Sequence, residues 1–458
     1  MPFYLPENPD YTIFDSMLDS IRFTVERTLV RGENSISSKS SFVDEMGEIM
    51  HWHDFGDLEG PGWAANAVGG AYELFKDGAF AAQAASGTER PLYPPRLRET
   101  ALGILDHILN DGFIDTETGF IIGYRDLAQD RFCLNFKHND DWLCPGSMAK
   151  VAYQLLVFSD LVDQTRASRM RSIAAKTAGW LAAHAPLADN GWFARRCTRE
   201  GEPYQERAEG GASAGSGQAE DPIFATSADG LFNVMLMTEL TARGLADWRE
   251  QVREKVDRFI AAGGFFGSIN HDTYDQQENV AYSVAFRTLL RASRLLDDPA
   301  VREFAYGVCL AGLERFKMHE DRNGVATQGL LYMEDSWDTS YLWEDAEAAL
   351  AYFEAFEDAG DPQHALDGLT ILRAAAKHHH GPYGFLTEGV DWNNHVGAEH
   401  HFDSAEFGDI CYTEPFLNNQ HIAEPTLFYL ERLAARETDP ATGTTLYRDL
   451  DGNLIARV

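Results

Sequence analysis

Thirteen residues, MEDSWDTSYLWED (333–345), hold five carboxylates and three aromatic rings immediately before the amphipathic run AEAALAYFEAF. A helix start uses one or two acids, to cap exposed N–H groups and suit the positive end of the dipole. It has no use for two tryptophans. The surplus is the composition of a site: ionisable groups that move protons, and flat apolar faces that hold something against them. Five other stretches share it: HWHDFGDLEGPGW (51–63), NFKHNDDWLCPG (135–146), EDPIFATSADG (220–230), NHDTYDQQENVAY (270–282) and DICYTEPFLNNQHIAE (409–424). Of nine tryptophans, seven lie in such stretches or their loops (Trp52, Trp63, Trp142, Trp192, Trp337, Trp343, Trp392), leaving Trp180 and Trp248 elsewhere.

The elements that must position these groups are helices. Apolar residues recur at i, i+3, i+4 and i+7 along most of the 458 residues, with little strand alternation. Charged amphipathic helices are predicted near 12–30, 94–110, 166–184, 246–262, 298–317 and 362–378. Helices that read as apolar nearly all round are predicted near 62–75, 145–160, 226–242, 279–294, 344–357 and 419–434. The two kinds alternate six times, and connections from the apolar kind to the amphipathic kind are mostly short. Those in the other direction are long, so antiparallel hairpins would put every long loop on one face. Six inner helices ringed by six outer ones make an all-α (α/α)6 toroid, expected as one domain over 1–458. Turn glycines beside aromatics recur in the long loops, and the alternation in GFIIGYRD suggests short β-ribbons there. The stretch ASAGSGQAED (212–221) lacks a Walker lysine and reads as a flexible loop.

Composition narrows the partners. A formal net charge of −34 argues against nucleic acid and against anionic membranes. No run of apolar residues is long enough to span a bilayer. Five scattered cysteines without a CxxC indicate a reducing compartment and no structural zinc. With no signal-peptide pattern at the start, the expected setting is the cytoplasm. Neither a cofactor nor a metal is expected, and the oligomeric state stays open.

A rim of Trp, Tyr, Asp, Glu, His and Asn is the chemistry of a sugar site, where rings stack on a pyranose face and carboxylates take its hydroxyls. Breaking a glycosidic bond needs one carboxyl group kept protonated and another ionised, separated by about 5 Å for retention or about 6.5–9.5 Å for inversion. The alternating twelve-helix pattern with acidic, tryptophan-rich lead-ins resembles the six-hairpin glycosidase superfamily. That group includes unsaturated glucuronyl hydrolases, glucoamylase-like enzymes and toroidal polysaccharide lyases; the N-acylglucosamine 2-epimerases share the barrel. The resemblance is architectural and carries no catalytic pair over to this chain.

The reading that follows is a glycoside hydrolase acting on an oligosaccharide, with uronic-acid glycans among the possible substrates. Asp141 (beside Asp140), Asp229 and Asp338 are the acid/base candidates, and His421 is a proton shuttle or hydroxyl donor at the start of the last inner helix. Trp63, Trp142, Trp337 and Trp343 are stacking platforms, and Asp57, Asp335, Tyr412 and Glu414 are further sugar contacts; Asp54 is a neighbouring rim acid. Glu344 and Asp345 read as dipole partners of their helix. His51 and His53 form an HxH that could face one way onto a metal, as could His400, His401 and Asp403, whereas His378, His379 and His380 suit a helix C-terminus. Arg125, Arg131, Arg195 and Arg196 are possible uronate clamps. The alternatives are a uronate lyase, with His421 or Tyr412 as base, and a sugar epimerase or isomerase using histidine acid/base chemistry.

Overall fold

Local signals start the outer helices. Thr12 and Asp15 form a reciprocal capping box that opens α1 (Ile13–Phe23). Asp163 caps α5 (Gln164–His184). Asp298 and Asp361 cap α9 (Pro299–Phe304) and α11 (Pro362–Ala375), each with proline in the first turn. The remaining outer helices are α3 (Leu97–Asn110) and α7 (Arg249–Ala261). The inner set is α2 (Ala67–Ala84), α4 (Pro145–Phe158), α6 (Leu231–Ala242), α8 (Asn279–Leu296), α10 (Leu342–Ala359) and α12 (Asn418–Arg432). These elements come from a computed structural model that describes residues 11–53, 55–84, 93–204, 226–264, 267, 269, 277–334, 339–393 and 408–458.

The inner helices close a ring: α2 packs on α4, α4 on α6, α6 on α8, α8 on α10, α10 on α12, and α12 returns to α2. Outside them, α3 lies on α2, α5 on α4, α7 on α6, α9 and its continuation on α8, α11 on α10 and α1 on α12. This is the (α/α)6 toroid. Short connections such as 297–298 and 360–361 gather at one end of the barrel, and the long loops at the other.

Several helices differ from their predicted extents. The first inner helix begins at Ala67, after Asn66 takes a left-handed φ of 41°, and runs on through KDGAFAAQA. Helix α1 loosens into a π-turn over Thr24–Thr28, and α9 does the same over Ala305–Leu310. The long loops carry short antiparallel ribbons. One sheet orders Leu58–Glu59, Tyr124–Asp126 and Arg131–Cys133 in sequence, which is the ribbon expected around GFIIGYRD. A C-terminal meander of Ala435–Thr438, Thr445–Arg448 and Leu454–Arg457 has no counterpart among the sequence-based expectations.

The inner helices are not apolar all round. Each carries one polar stripe facing the barrel axis: Glu73 and Lys76 on α2, Lys150 and Gln154 on α4, Glu239 on α6, Arg287 and Arg291 on α8, Glu347 and Glu354 on α10, His421 and Glu424 on α12. The physical reason is the ring itself. Six helices cannot interdigitate across a common axis, so a central space remains and water or polar groups fill it. No helix among the described residues is long and apolar enough to cross a membrane.

Candidate functional site

The axial space is a cavity of about 450 Å³, within the usual size of small-molecule sites. Its exposed lining residues, such as Asp160, Leu161, Arg294 and Arg432, all sit at the short-loop end. At the long-loop end it closes over buried Phe232, Lys150, Glu73 and His421. Seven carboxylates and seven Lys or Arg side chains line it, so the interior is balanced although the chain is strongly acidic.

Those charges form a ladder down the axis. At the closed end, His421 Nδ1 lies 3.3 Å from Glu347. Glu347 is in turn held by Arg287 Nη1. Arg287 Nε donates to Glu354 at 3.1 Å, and Arg291 grips the same carboxylate with two N–H groups at 2.8 and 2.9 Å. Arg291 also reaches Glu239 at 3.6 Å, Arg243 donates to Glu239 at 3.3 Å and to Asp160 at 2.6 Å, and Arg171 closes the series on Asp160 at 3.0 Å. Burial alone would raise the Glu347 and Glu354 pKa values, but the arginines outweigh it. Glu354 is held at about 2, and Glu347, which also faces His421 and Lys150, lies well below its ordinary range.

His421 is 5% exposed and its second nitrogen is positioned as well. Asn66 Nδ2 lies 3.2 Å from Nε2 and 3.4 Å from the Phe416 carbonyl, while Asn66 Oδ1 accepts from Gln154 at 2.8 Å. With Gln154 donating to Asn66 and Asn66 to Nε2, the imidazole proton sits on Nδ1 toward Glu347. The Nε2 lone pair then accepts from Asn66, and Nε2 is free to act as a carboxylate-oriented base once a ligand displaces that amide. Glu73 lies 3.8 Å from Nε2; burial, reinforced by Glu424 and Asp77, raises its pKa well above the usual carboxylate range.

Trp63 and Trp343, predicted as separate platforms, meet edge to face at 6.2 Å, and Trp63 also packs on Phe232 at 5.6 Å. Lys150 Nζ sits 4.4 Å over the Trp63 ring. Burial pushes the Lys150 pKa down, against Glu347, Glu414, Glu73 and Glu424, which push it back up. Glu414 is buried on the same side. Asp229, 2% exposed, follows the Ser227 cap and packs so closely on Gly146 that a Cβ there would fall 2.6 Å from its carboxyl carbon. Burial raises the Asp229 pKa to about 6, opposed by Arg195.

Of the expected residues described, His421 lines the cavity, whereas Trp63, Trp343, Asp229 and Glu414 stand behind its lining and the others lie elsewhere. Asp141 is exposed and does not line the cavity, and Asp140 faces Arg131 at 3.8 Å. Trp142 is buried between Phe136 and the Arg196 guanidinium. Tyr412 pairs its strand with Asp44 and packs its ring on Phe42 and His53. Asp57 is taken by His51 at 2.8 Å, whereas His53 stacks on Phe42 at 4.1 Å, so the HxH does not present two nitrogens to one point. Arg125 is occupied by Glu59 and Asp130. His378 and His380 both hold Asp409. Asp54, Asp335, Trp337, Asp338, His400, His401 and Asp403 lie outside the described residues. Among the described residues no group of three or more potential ligands could hold a metal ion.

Asp345 is structural. It is fully buried, accepting from the Leu331 N–H at 3.0 Å and the Ser340 hydroxyl at 2.9 Å. Burial raises its pKa from 3.8 to about 8. The folded chain therefore keeps a proton there that the unfolded chain loses, and stability from this group declines as pH rises between those values and is level above them. Asp345→Asn, which mimics the protonated acid, is expected to flatten that decline. Thermal melts at about pH 5 and about pH 8 check it; a variant markedly less stable than the wild type at the higher pH contradicts the assignment.

No family model matches the sequence, and no curated protein matches it. Solved structures do match. The chain is similar to cellobiose 2-epimerase from Bacillus thermoamylovorans B4167 at 13% identity and a TM-score of 0.58, over 92% of this chain and 100% of that one. It is equally similar to a D-mannose isomerase, at 11% identity and a TM-score of 0.58 over 94% and 100% of the two chains. A family 76 glycoside hydrolase from a bovine Bacteroides thetaiotaomicron strain follows at 10% identity and 0.56, over 91% and 77%. At such identities the likeness is one of fold, and it is the six-hairpin toroid shared by sugar epimerases, isomerases and glycosidases.

Proposed function

We propose that this chain is a carbohydrate-converting enzyme that moves a proton at the carbon beside a sugar carbonyl, as an epimerase or aldose–ketose isomerase does, with His421 as the base. The observation that carries the reading is the His421–Glu347 pair at the closed end of the axial cavity. A C–H beside a carbonyl is a weak acid. Its removal needs a neutral base of moderate pKa held in place, and a carboxylate on the far nitrogen to stabilise the imidazolium that forms. Glu347 and Asn66 hold the two ring nitrogens, Phe232 lines the cavity with an apolar face, and Trp63 packs on Phe232 with Trp343 against it. The fold neighbours named as a cellobiose 2-epimerase and a mannose isomerase agree in kind.

Hydrolysis is the second reading, favoured by Asp229. A buried carboxyl group raised by burial to about 6 suits a general acid. Incubation with a panel of reducing mono- and disaccharides, read by mass and ultraviolet absorbance, separates the readings. Proton transfer gives an isomer of unchanged mass, hydrolysis adds one water, and elimination creates an absorbing double bond. Isomer formation is the expected result, and products that have gained water in its place contradict the proposal.

A further inference from the structure

Lys150 stands apart from the other described cations that line the cavity. It is 6% exposed, lines the cavity at its closed end, and has no hydrogen bond or ion pair among the described residues. The cavity's arginines are all spent on carboxylates; Arg287, Arg291 and Arg243 each hold two. What holds Lys150 is the face of Trp63 at 4.4 Å, which attracts a cation but accepts no conventional hydrogen bond. The carboxylates that act on it from a distance are Glu347 on α10, Glu73 on α2, Glu424 on α12, and Glu414 before α12. Of these, Glu347 already serves Arg287 and His421. Buried ammonium groups are normally paired, because the lost hydration of an unanswered one is not repaid. A lysine left with its N–H groups directed into a ligand-sized cavity is arranged for an oxygen that arrives with the ligand.

Resting on the proton-transfer reading above, we infer that Lys150 is the acid that holds and protonates the carbonyl oxygen of an open-chain sugar while His421 works on the adjacent carbon. With the Asn66 amide displaced by the bound sugar, His421 Nε2 takes the proton from the carbon beside the carbonyl. That C–H electron pair becomes the C=C of an enediol, and the carbonyl π pair moves onto oxygen, which takes a proton from the Lys150 ammonium. Return of the proton from the imidazolium to the former carbonyl carbon, with the hydroxyl on the adjacent carbon giving its proton to the Lys150 amine as the new C=O forms, releases the aldose–ketose isomer and restores both groups. No other reactant is consumed. The ligand class is a neutral aldose or ketose, its carbonyl oxygen toward α4.

The test uses the full-length chain and a sugar that the wild type interconverts. Lys150→Met keeps the side chain's length and removes its proton. Turnover is expected to fall about 100-fold, the usual loss for one donor at a developing oxyanion. Sugar-induced stabilisation should persist and the melting temperature should hold or rise, since a buried unpaired charge has gone. Lys150→Arg, which keeps a donor, should recover part of the rate. Wild-type turnover in Lys150→Met overturns the assignment and leaves His421 standing. A sugar covalently attached at Lys150 after borohydride addition during turnover also overturns it, because the amine would then be a nucleophile. If the wild type interconverts no sugar in the panel, the proton-transfer reading falls and this role falls with it.

Discussion

Replacing His421 with Asn is expected to lower turnover about 10³-fold while the melting temperature stays close to that of the wild type. The choice of Asn is deliberate. Its amide nitrogen takes the place of Nδ1 and keeps the contact that His421 makes with Glu347 at 3.3 Å. What disappears is Nε2, the basic atom that accepts from Asn66 at 3.2 Å until a ligand displaces the amide. A residue that merely filled space would tolerate this exchange in activity as well as in stability. Steady-state rates on an interconverted sugar, with thermal melts of the same samples, provide the check. A variant retaining more than about a tenth of the wild-type rate means that the base lies elsewhere. Asp229 would then be the next group to test.

The second large effect concerns stability. Arg287→Met leaves Glu347 without its guanidinium and Glu354 with Arg291 alone, in a part of the barrel where all four side chains are largely buried. Breaking a buried ion network by removing one partner costs about 3–5 kcal/mol, mostly because the remaining charge stays unanswered. Denaturant unfolding should report a loss of that size. Adding Glu347→Gln to Arg287→Met should recover part of it, since the stranded charge is gone and the amide oxygen still accepts from His421. The same network sets the acid limit. Glu354 drops from an ordinary 4.5 to about 2 on folding, so its contribution is complete above 4.5 and disappears as pH falls toward 2. Full stability in Arg287→Met would show that the axial ladder is ornamental.

The fold was legible because it is written in a one-dimensional asymmetry. Short links such as 360–361 and long ones such as 376–417 alternate with the two helix kinds, and only a ring of hairpins sends all the long ones to one end. The same argument brought Trp63 and Trp343 to one level, where they touch. The ladder could not be seen that way. Arg287 and Arg291 stand four apart in SVAFRTLLRAS, and Glu347 and Glu354 seven apart in AEAALAYFEAF, as on any wet helix face. Their partners lie some sixty residues away. Asp141 and Trp142 are neighbours in the sequence, but the chain bends at Asp141, which is exposed while the Trp142 ring is buried, a difference that adjacency alone does not show. Lys150 did leave a signal, as the one cation in PGSMAKVAYQLLVF, a run otherwise without charge.

The central claim is that carbon-bound hydrogen, not a glycosidic bond, is what this cavity works on. Incubating the enzyme with an interconverted reducing sugar in heavy water and reading the recovered sugar by mass and NMR tests it most directly. The expected result is deuterium on the carbon beside the carbonyl, unchanged chain length, and loss of the label in His421→Asn. Products cleaved by water with no deuterium on carbon would contradict it.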